Sequence, residues 1–176
     1  MNGYSIEEME TYLQGISSYQ AVIEVTVRSN KNTNTYTLKQ EYEKQKEEKI
    51  EKQEVVLPEN LKGVQIIKTK EKLEVKNTTL NLSKIYEKYE EITKNDLWLT
   101  DFLQEYQETN NRSKKEEENL MIFEITNEDK PYSTRKTLYV SKETKKPQKL
   151  VIDSMNQKEK VYILYKEIEI RSIEEK

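Results

Sequence analysis

At 176 residues, with 30 Lys and Arg against 33 Asp and Glu and a net charge of -3, the chain has one domain's length and no basic stripe to neutralise a phosphate backbone, so nucleic acid is not an expected partner. It contains no Cys and no His, which removes thiol nucleophiles, disulfides, imidazole bases and nearly every transition-metal site. Charged residues make up 36% and the mean hydropathy is -1.02, values close to those of disordered chains, but 12 Tyr and alternating aliphatic runs supply enough apolar surface for a core.

From the N-terminus, Ser5-Ile6-Glu7-Glu8 reads as a capping box and Ile6, Met9 and Leu13 fall on one helical face. Gly15 is expected to stop this helix in a left-handed conformation. Tyr19, Ala21, Ile23, Val25 and Val27 then alternate with polar residues up to Arg28, the period of a half-buried strand. Asn30 to Asn34 is a turn, and Tyr36, Leu38 and Tyr42 repeat the alternation. Lys44 to Lys49 mixes both charges and reads as a solvated hairpin end. A strand from Ile50 to Leu57 stops at Pro58. Val64, Ile66 and Ile67 make another, turned at Lys70-Glu71 into Leu73 and Val75. Leu80 to Ile92 fits neither period and is left irregular.

A second helix is expected from Asp96 to Gln107, capped by Asn95 or Thr93, with Leu99, Phe102, Leu103 and Tyr106 spaced i, i+3, i+4, i+7 and Trp98 beside them. Arg112 to Glu118 is a charged loop or fraying strand end. Asn119 to Thr126 is apolar on both faces and belongs under a helix. Tyr132 to Val140 is a strand, Lys142 to Pro147 a turn, and Leu150 to Asp153 pairs with Val161 to Tyr165 across Ser154 to Gln157.

The expected architecture is therefore mainly β with two helices: an unclosed antiparallel β-barrel or half-barrel of about nine to eleven strands, with a short N-terminal helix and a mid-chain helix on the concave face. One domain spans residues 1–176, comprising a helix in 1–16, strands in 17–93, a helix in 94–108 and strands in 119–170. No run is long and apolar enough for a membrane-spanning helix.

Catalytic, cofactor-binding and metal-ligating residues are not assigned. Adjacent carboxylates such as Glu7/Glu8 and Glu90/Glu91 are too common here to indicate acid–base chemistry, the three Gly are isolated, and a Ser nucleophile would lack its usual base. Trp98, Leu99, Phe102, Leu103 and Tyr106 have two readings. They are core that packs the helix onto the sheet, or the lining of an apolar cavity for an acyl chain. An open barrel also has edges, so strand pairing or exchange between two copies is expected, with the first strand as the contact through Tyr19, Ala21, Ile23, Val25 and Val27.

SSYQAVIEVTVRSNKNTNTYTLKQEYEK, then VVLPENLKGVQIIKTKEKLEVKN, LWLTDFLQEY and TRKTLYVSKETKKPQKLVIDSMNQKEKVYILYKEIEI together resemble the LolA-like lipoprotein-carrier family, and within it the GerS-type germination lipoproteins of spore-forming anaerobes. The resemblance lies in the order and spacing of strands and turns, above all the turn with Pro147, the strand ending at Asp153 and the strand carrying Tyr165. It implies an unclosed barrel with helices across its concave side and one of two functions. Carriers hold acyl chains in the concavity. GerS-type proteins are not enzymes; they bind and activate a CwlD-type zinc N-acetylmuramoyl-L-alanine amidase that helps make the muramic-δ-lactam of spore cortex. The zinc would be the partner's. GerS-type proteins are anchored through a lipidated Cys that this sequence lacks, so the resemblance implies a chain starting after the anchor of an extracytoplasmic protein of the developing spore.

Overall fold

The computed structural model describes residues 4–69, 72–78, 95–128, 134–154 and 158–173. Helix α1 (Ile6–Gln14) starts at a complete capping box: the Ser5 amide donates to Glu8 Oε1 at 3.1 Å and the Glu8 amide donates to Ser5 Oγ at 3.1 Å. Two otherwise orphaned helix-start amides are thereby satisfied. Met9, Tyr12 and Leu13 form its buried face. Gly15 ends it at φ -88°, not in the left-handed region that the sequence suggests. A different need holds glycine there. The residue is buried and its carbonyl accepts a hydrogen bond from the Ile173 amide at 2.9 Å, where the last strand passes close.

Among the described residues ten strands follow: β1 (Ile16–Arg28), β2 (Thr33–Gln45), β3 (Glu48–Leu57), β4 (Val64–Lys68), β5 (Leu73–Asn77), β6 (Arg112–Glu116), β7 (Leu120–Asn127), β8 (Thr134–Ser141), β9 (Pro147–Ser154) and β10 (Glu159–Ser172). They form one antiparallel sheet in the order β5-β4-β3-β2-β1-β10-β9-β8-β7-β6. The ends β5 and β6 do not pair, so the barrel stays unclosed. Chain termini meet in the middle, β1 against β10, with Val27 opposite Val161 and Tyr19 opposite Ile170. Between the two edges the chain recrosses, and helix α2 (Leu99–Glu108) lies on that path, preceded by a 3-10 turn at Asn95–Leu97.

Strand β1 is thus interior, hydrogen-bonded to β2 on one side and β10 on the other. The expectation that it forms an open edge is corrected: Tyr19, Ala21, Ile23, Val25 and Val27 all point into the core. Among the described residues the edge strands of the sheet are β5 and β6. β6, read from sequence as a loop or fraying strand, is a fully exposed strand, and its Arg-Ser-Lys-Lys-Glu composition is the charged kind that discourages edge pairing. Strand β7 buries one face fully and part of the other: Met121, Phe123 and Ile125 join the main core, while on the other side Ile122 is buried opposite Tyr139 and Lys115, and Leu120, Glu124 and Thr126 are half-buried. The irregular reading of Leu80 to Ile92 lies outside the described residues. No helix among the described residues is long and apolar enough to cross a membrane.

Candidate functional site

The concave face is filled by the side chains that the sequence singled out. Trp98, Leu99, Phe102, Leu103 and Tyr106 are 0–6% exposed. Trp98 meets the Tyr19 ring edge-on at 6.3 Å, Phe102 stacks on Tyr106 at 6.1 Å, and Tyr106 meets Phe123 of β7 edge-on at 5.7 Å. Such geometries add to the stabilisation from burial alone. Of the two readings, the structure places all five in the hydrophobic core. The helix does not start at Asp96. Trp98 is its N-cap, extended at φ -97° and ψ 126° with no side-chain cap bond. Asn95 instead opens the 3-10 turn, and Thr93 lies outside the described residues. Trp98 takes that place because its ring is buried against β1.

Polar contacts fix α2 at both ends. Lys136, inward on β8, donates to Asp96 Oδ1 at 2.9 Å and Glu105 Oε1 at 2.8 Å. Burial works to lower the Lys136 pKa, but the two carboxylates overcome it and hold the ammonium above its ordinary range. On the residue after Glu105, the Tyr106 hydroxyl donates to Glu10 of α1 at 2.8 Å, and Glu10 also accepts from Lys114 of β6 at 2.6 Å. Burial and that bond to Glu10 push the Tyr106 phenol up.

Beneath Trp98 runs a buried polar chain that was missed in the sequence. Gln40 is 0% exposed; its Oε1 accepts from the Tyr19 hydroxyl at 3.2 Å, and its Nε2 donates to Gln53 Oε1 at 2.7 Å and to the Leu97 carbonyl at 2.9 Å. Together these bonds join β1, β2, β3 and the 3-10 turn. The available signal was a polar residue in phase with the apolar face Tyr36, Leu38, Tyr42.

One phase position further, Glu51 of β3 is 1% exposed, yet neither carboxylate oxygen accepts a hydrogen bond. Thr100 Oγ1 and Asp101 Oδ2, from the first turn of α2, are buried and unpartnered as well. The Lys49 ammonium stands 3.4 Å from Glu51 Oε1 and 3.7 Å from Asp101 Oδ1. These groups lie at one end of the concave face, where a cleft of about 540 Å³ opens between the helices and the β2–β3 hairpin. Only Leu103 of the five predicted lining residues borders it. The charged hairpin end is mostly solvated, as expected, but Lys44, Glu47, Glu48 and Lys49 also wall this cleft.

Burial, helped by the charge of Asp101 and opposed by Lys49 and Lys68, raises the Glu51 pKa above the ordinary carboxylate range; burial likewise raises Asp101. The folded protein therefore binds protons here more readily than the unfolded chain, so these groups make stability fall as pH rises from the unfolded to the folded pKa. Glu51→Gln is expected to raise stability at pH 7 by roughly 1–2 kcal/mol, because a neutral amide loses less on burial than a carboxylate held by a single ion pair, or about 2–8 °C in Tm. The gain should vanish as pH falls to about 4, where the unfolded-state carboxyl is also becoming neutral. Thermal melts at both pH values check it; a Tm loss at pH 7 would show that the ion pair with Lys49 outweighs the burial cost.

These observations define a class, an unclosed antiparallel half-barrel whose concavity is plugged by its own helix. Solved structures share this fold. The Pseudomonas aeruginosa MucA/MucB complex contains a chain matched with a TM-score of 0.54 at 7% identity, over 95% of this chain and 56% of that one. An uncharacterized conserved protein from Thermus thermophilus gives 0.54 at 12% identity, over 97% and 90%. A looser match, TM-score 0.45 at 19% identity over 100% and 99%, is to the structure of the CwlD amidase from Clostridioides difficile in complex with the GerS lipoprotein. No protein-family model matches the sequence, and no curated protein is significantly similar to it. At these identities the likeness is one of fold.

Proposed function

We propose that this chain is a non-catalytic LolA-like protein that binds and activates a CwlD-type N-acetylmuramoyl-L-alanine amidase of the spore cortex, acting from the outer side of a membrane through a lipid anchor. The observation that carries this reading is the filled concavity. A carrier needs an apolar hollow of several hundred Å³, about the size of a small-molecule pocket, whereas here Trp98, Phe102 and Tyr106 occupy the concave face themselves and the cleft at its end is walled by Lys44, Glu47, Glu48, Lys49 and Lys68. The order of strands and turns that resembles GerS-type proteins supports the same reading. So does MucB, which is found in complex with another protein, MucA.

Activation by such a partner consists of preferring the amidase's metal-competent conformation, since a bound protein shifts an equilibrium only by its differential affinity for the two states. The zinc stays with the amidase. Homodimer formation, by edge pairing or strand exchange, belongs to the same proposal. Its natural seats are the edge strands β5 and β6 rather than β1. The test is an amidase assay with a CwlD-type enzyme, with and without this protein, together with co-elution on a sizing column. Co-elution with a rise in activity or zinc retention is expected. If the two neither co-elute nor affect each other, the proposal fails, and saturable binding of a fluorescent acyl probe would then install the carrier reading.

A further inference from the structure

The floor of the cleft beside the plugged concavity is built in a way that folding alone does not explain. Two buried polar groups that border it, the Glu51 carboxylate and Thr100 Oγ1, have no hydrogen-bond partner, Glu51 Oε1 having only its ion pair with Lys49, and Asp101 Oδ2 on the next residue of α2 has none either. Native proteins leave few such groups, and each unsatisfied one costs about 1–3 kcal/mol. An apolar residue at position 51 would continue the inward face that Val55 occupies on the same strand. The cost is consistent with a ligand that supplies the missing donors.

The charges say which kind of ligand. Glu51 and Asp101 are opposed by Lys49, which is ion-paired to both, and by Lys68, whose charge acts on both. The cleft is bordered by three basic side chains, Lys44, Lys49 and Lys68, and three acidic ones, Glu47, Glu48 and Glu51, which leave no strong field to concentrate an ion, and the described residues contain no group of three acidic side chains able to hold a metal. The ligand is therefore neutral and rich in hydrogen-bond donors. The walls agree with that description, because α2 contributes the amides of Gln104 and Gln107, and Tyr42 and Leu103 offer an apolar surface. A cleft of about 540 Å³ falls within the size range of small-molecule sites.

We infer that this cleft binds a neutral polyhydroxylated ligand, a carbohydrate, whose hydroxyls donate to Glu51 and Thr100 while its C–H face lies on Tyr42 and Leu103. The inference does not depend on amidase activation and can fail or succeed separately from it.

The experiment is a two-dimensional amide NMR titration of the full chain with two neutral sugars, maltose and the N-acetylglucosamine disaccharide, and with 1,4-diaminobutane as a cationic control. At least one sugar is expected to shift the amides of Glu51, Thr100 and Asp101 saturably, with a Kd on the order of 1 mM or below. Glu51→Gln should weaken it at least about tenfold, equivalent to about 1.4 kcal/mol, while Lys146→Ala, outside the cleft, leaves it unchanged. Because Glu51→Gln is expected to melt above the wild type at pH 7, loss of binding in that variant is separable from loss of fold. The inference is overturned if neither sugar shifts these amides, which leaves water as their partner. It is equally overturned if 1,4-diaminobutane shifts them at lower concentration than either sugar, or if Glu51→Gln titrates like the wild type.

Discussion

Phe102→Ala is expected to cost about 3–5 kcal/mol of folding stability, as in other truncations of buried aromatic side chains. Phe102 is 2% exposed, lies against Tyr106, and through it against Phe123 on the sheet. Removing the ring takes away both its burial and the aromatic contact, and the surrounding strands can close only part of the void. Urea denaturation followed through Trp98, the one tryptophan, measures it directly, with the m-value expected to stay constant. The sign of a second readout separates the two readings of this face. In a plugged concavity the wild type does not bind an acyl probe, and Phe102→Ala, by opening a dry apolar void, gains affinity for small apolar molecules. In a carrier the wild type binds and the truncation weakens it. A stability loss below about 1 kcal/mol together with wild-type acyl binding would show that Phe102 faces a hollow, and would remove the observation on which the regulator proposal rests.

What could be read from the sequence was what depends on local period. Leu99, Phe102, Leu103 and Tyr106 recur at helical spacing, and Tyr19 to Val27 alternate, so the faces they bury follow from backbone geometry. The position of β1 within the sheet does not follow. It depends on pairing with β10 about 140 residues away, and nothing in an alternating pattern says whether one edge or both will find a partner. β6 was equivocal for the converse reason: Arg112 to Glu116 carries no apolar alternation because both its faces are solvated. The start of α2 was displaced because Trp98 serves a tertiary contact with Tyr19 rather than a local cap. Gln40, Glu51 and Gln53 were hidden among polar neighbours, although each stands in phase with an apolar face. In a chain where 36% of residues are charged, a polar residue at an inward position does not stand out by composition. Phase alone identifies it. Among these buried polar groups some are hydrogen-bonded within the fold, as at Gln40, and others are buried beside the cleft without a hydrogen bond, as at Glu51.

Gln40→Leu should be the most damaging single polar substitution, with a loss of roughly 3–5 kcal/mol, because one change strands several buried groups and each costs about 1–3 kcal/mol. The Tyr19 hydroxyl loses its acceptor, the Leu97 carbonyl loses its donor, and Gln53 loses a 2.7 Å bond. Leucine is similar in size and apolar, so the cost cannot be assigned to a lost contact area. A double-mutant cycle with Tyr19→Phe isolates the orphaned hydroxyl. Alone, Tyr19→Phe removes one buried hydrogen bond and should cost about 1 kcal/mol. In the Gln40→Leu background the hydroxyl is already a liability, so the same change should be neutral or stabilising, a coupling of about 1 kcal/mol or more. The Leu97 bond adds a consequence for α2. With its anchor to the 3-10 turn gone, the segment Asn95–Leu97 should lose amide protection before the sheet does, which native-state hydrogen exchange resolves residue by residue. If Gln40→Leu were neutral and Leu97 kept its protection, the chain from Tyr19 to Gln53 would not be what seats the helix, and packing by Trp98 and Leu99 would have to hold it alone.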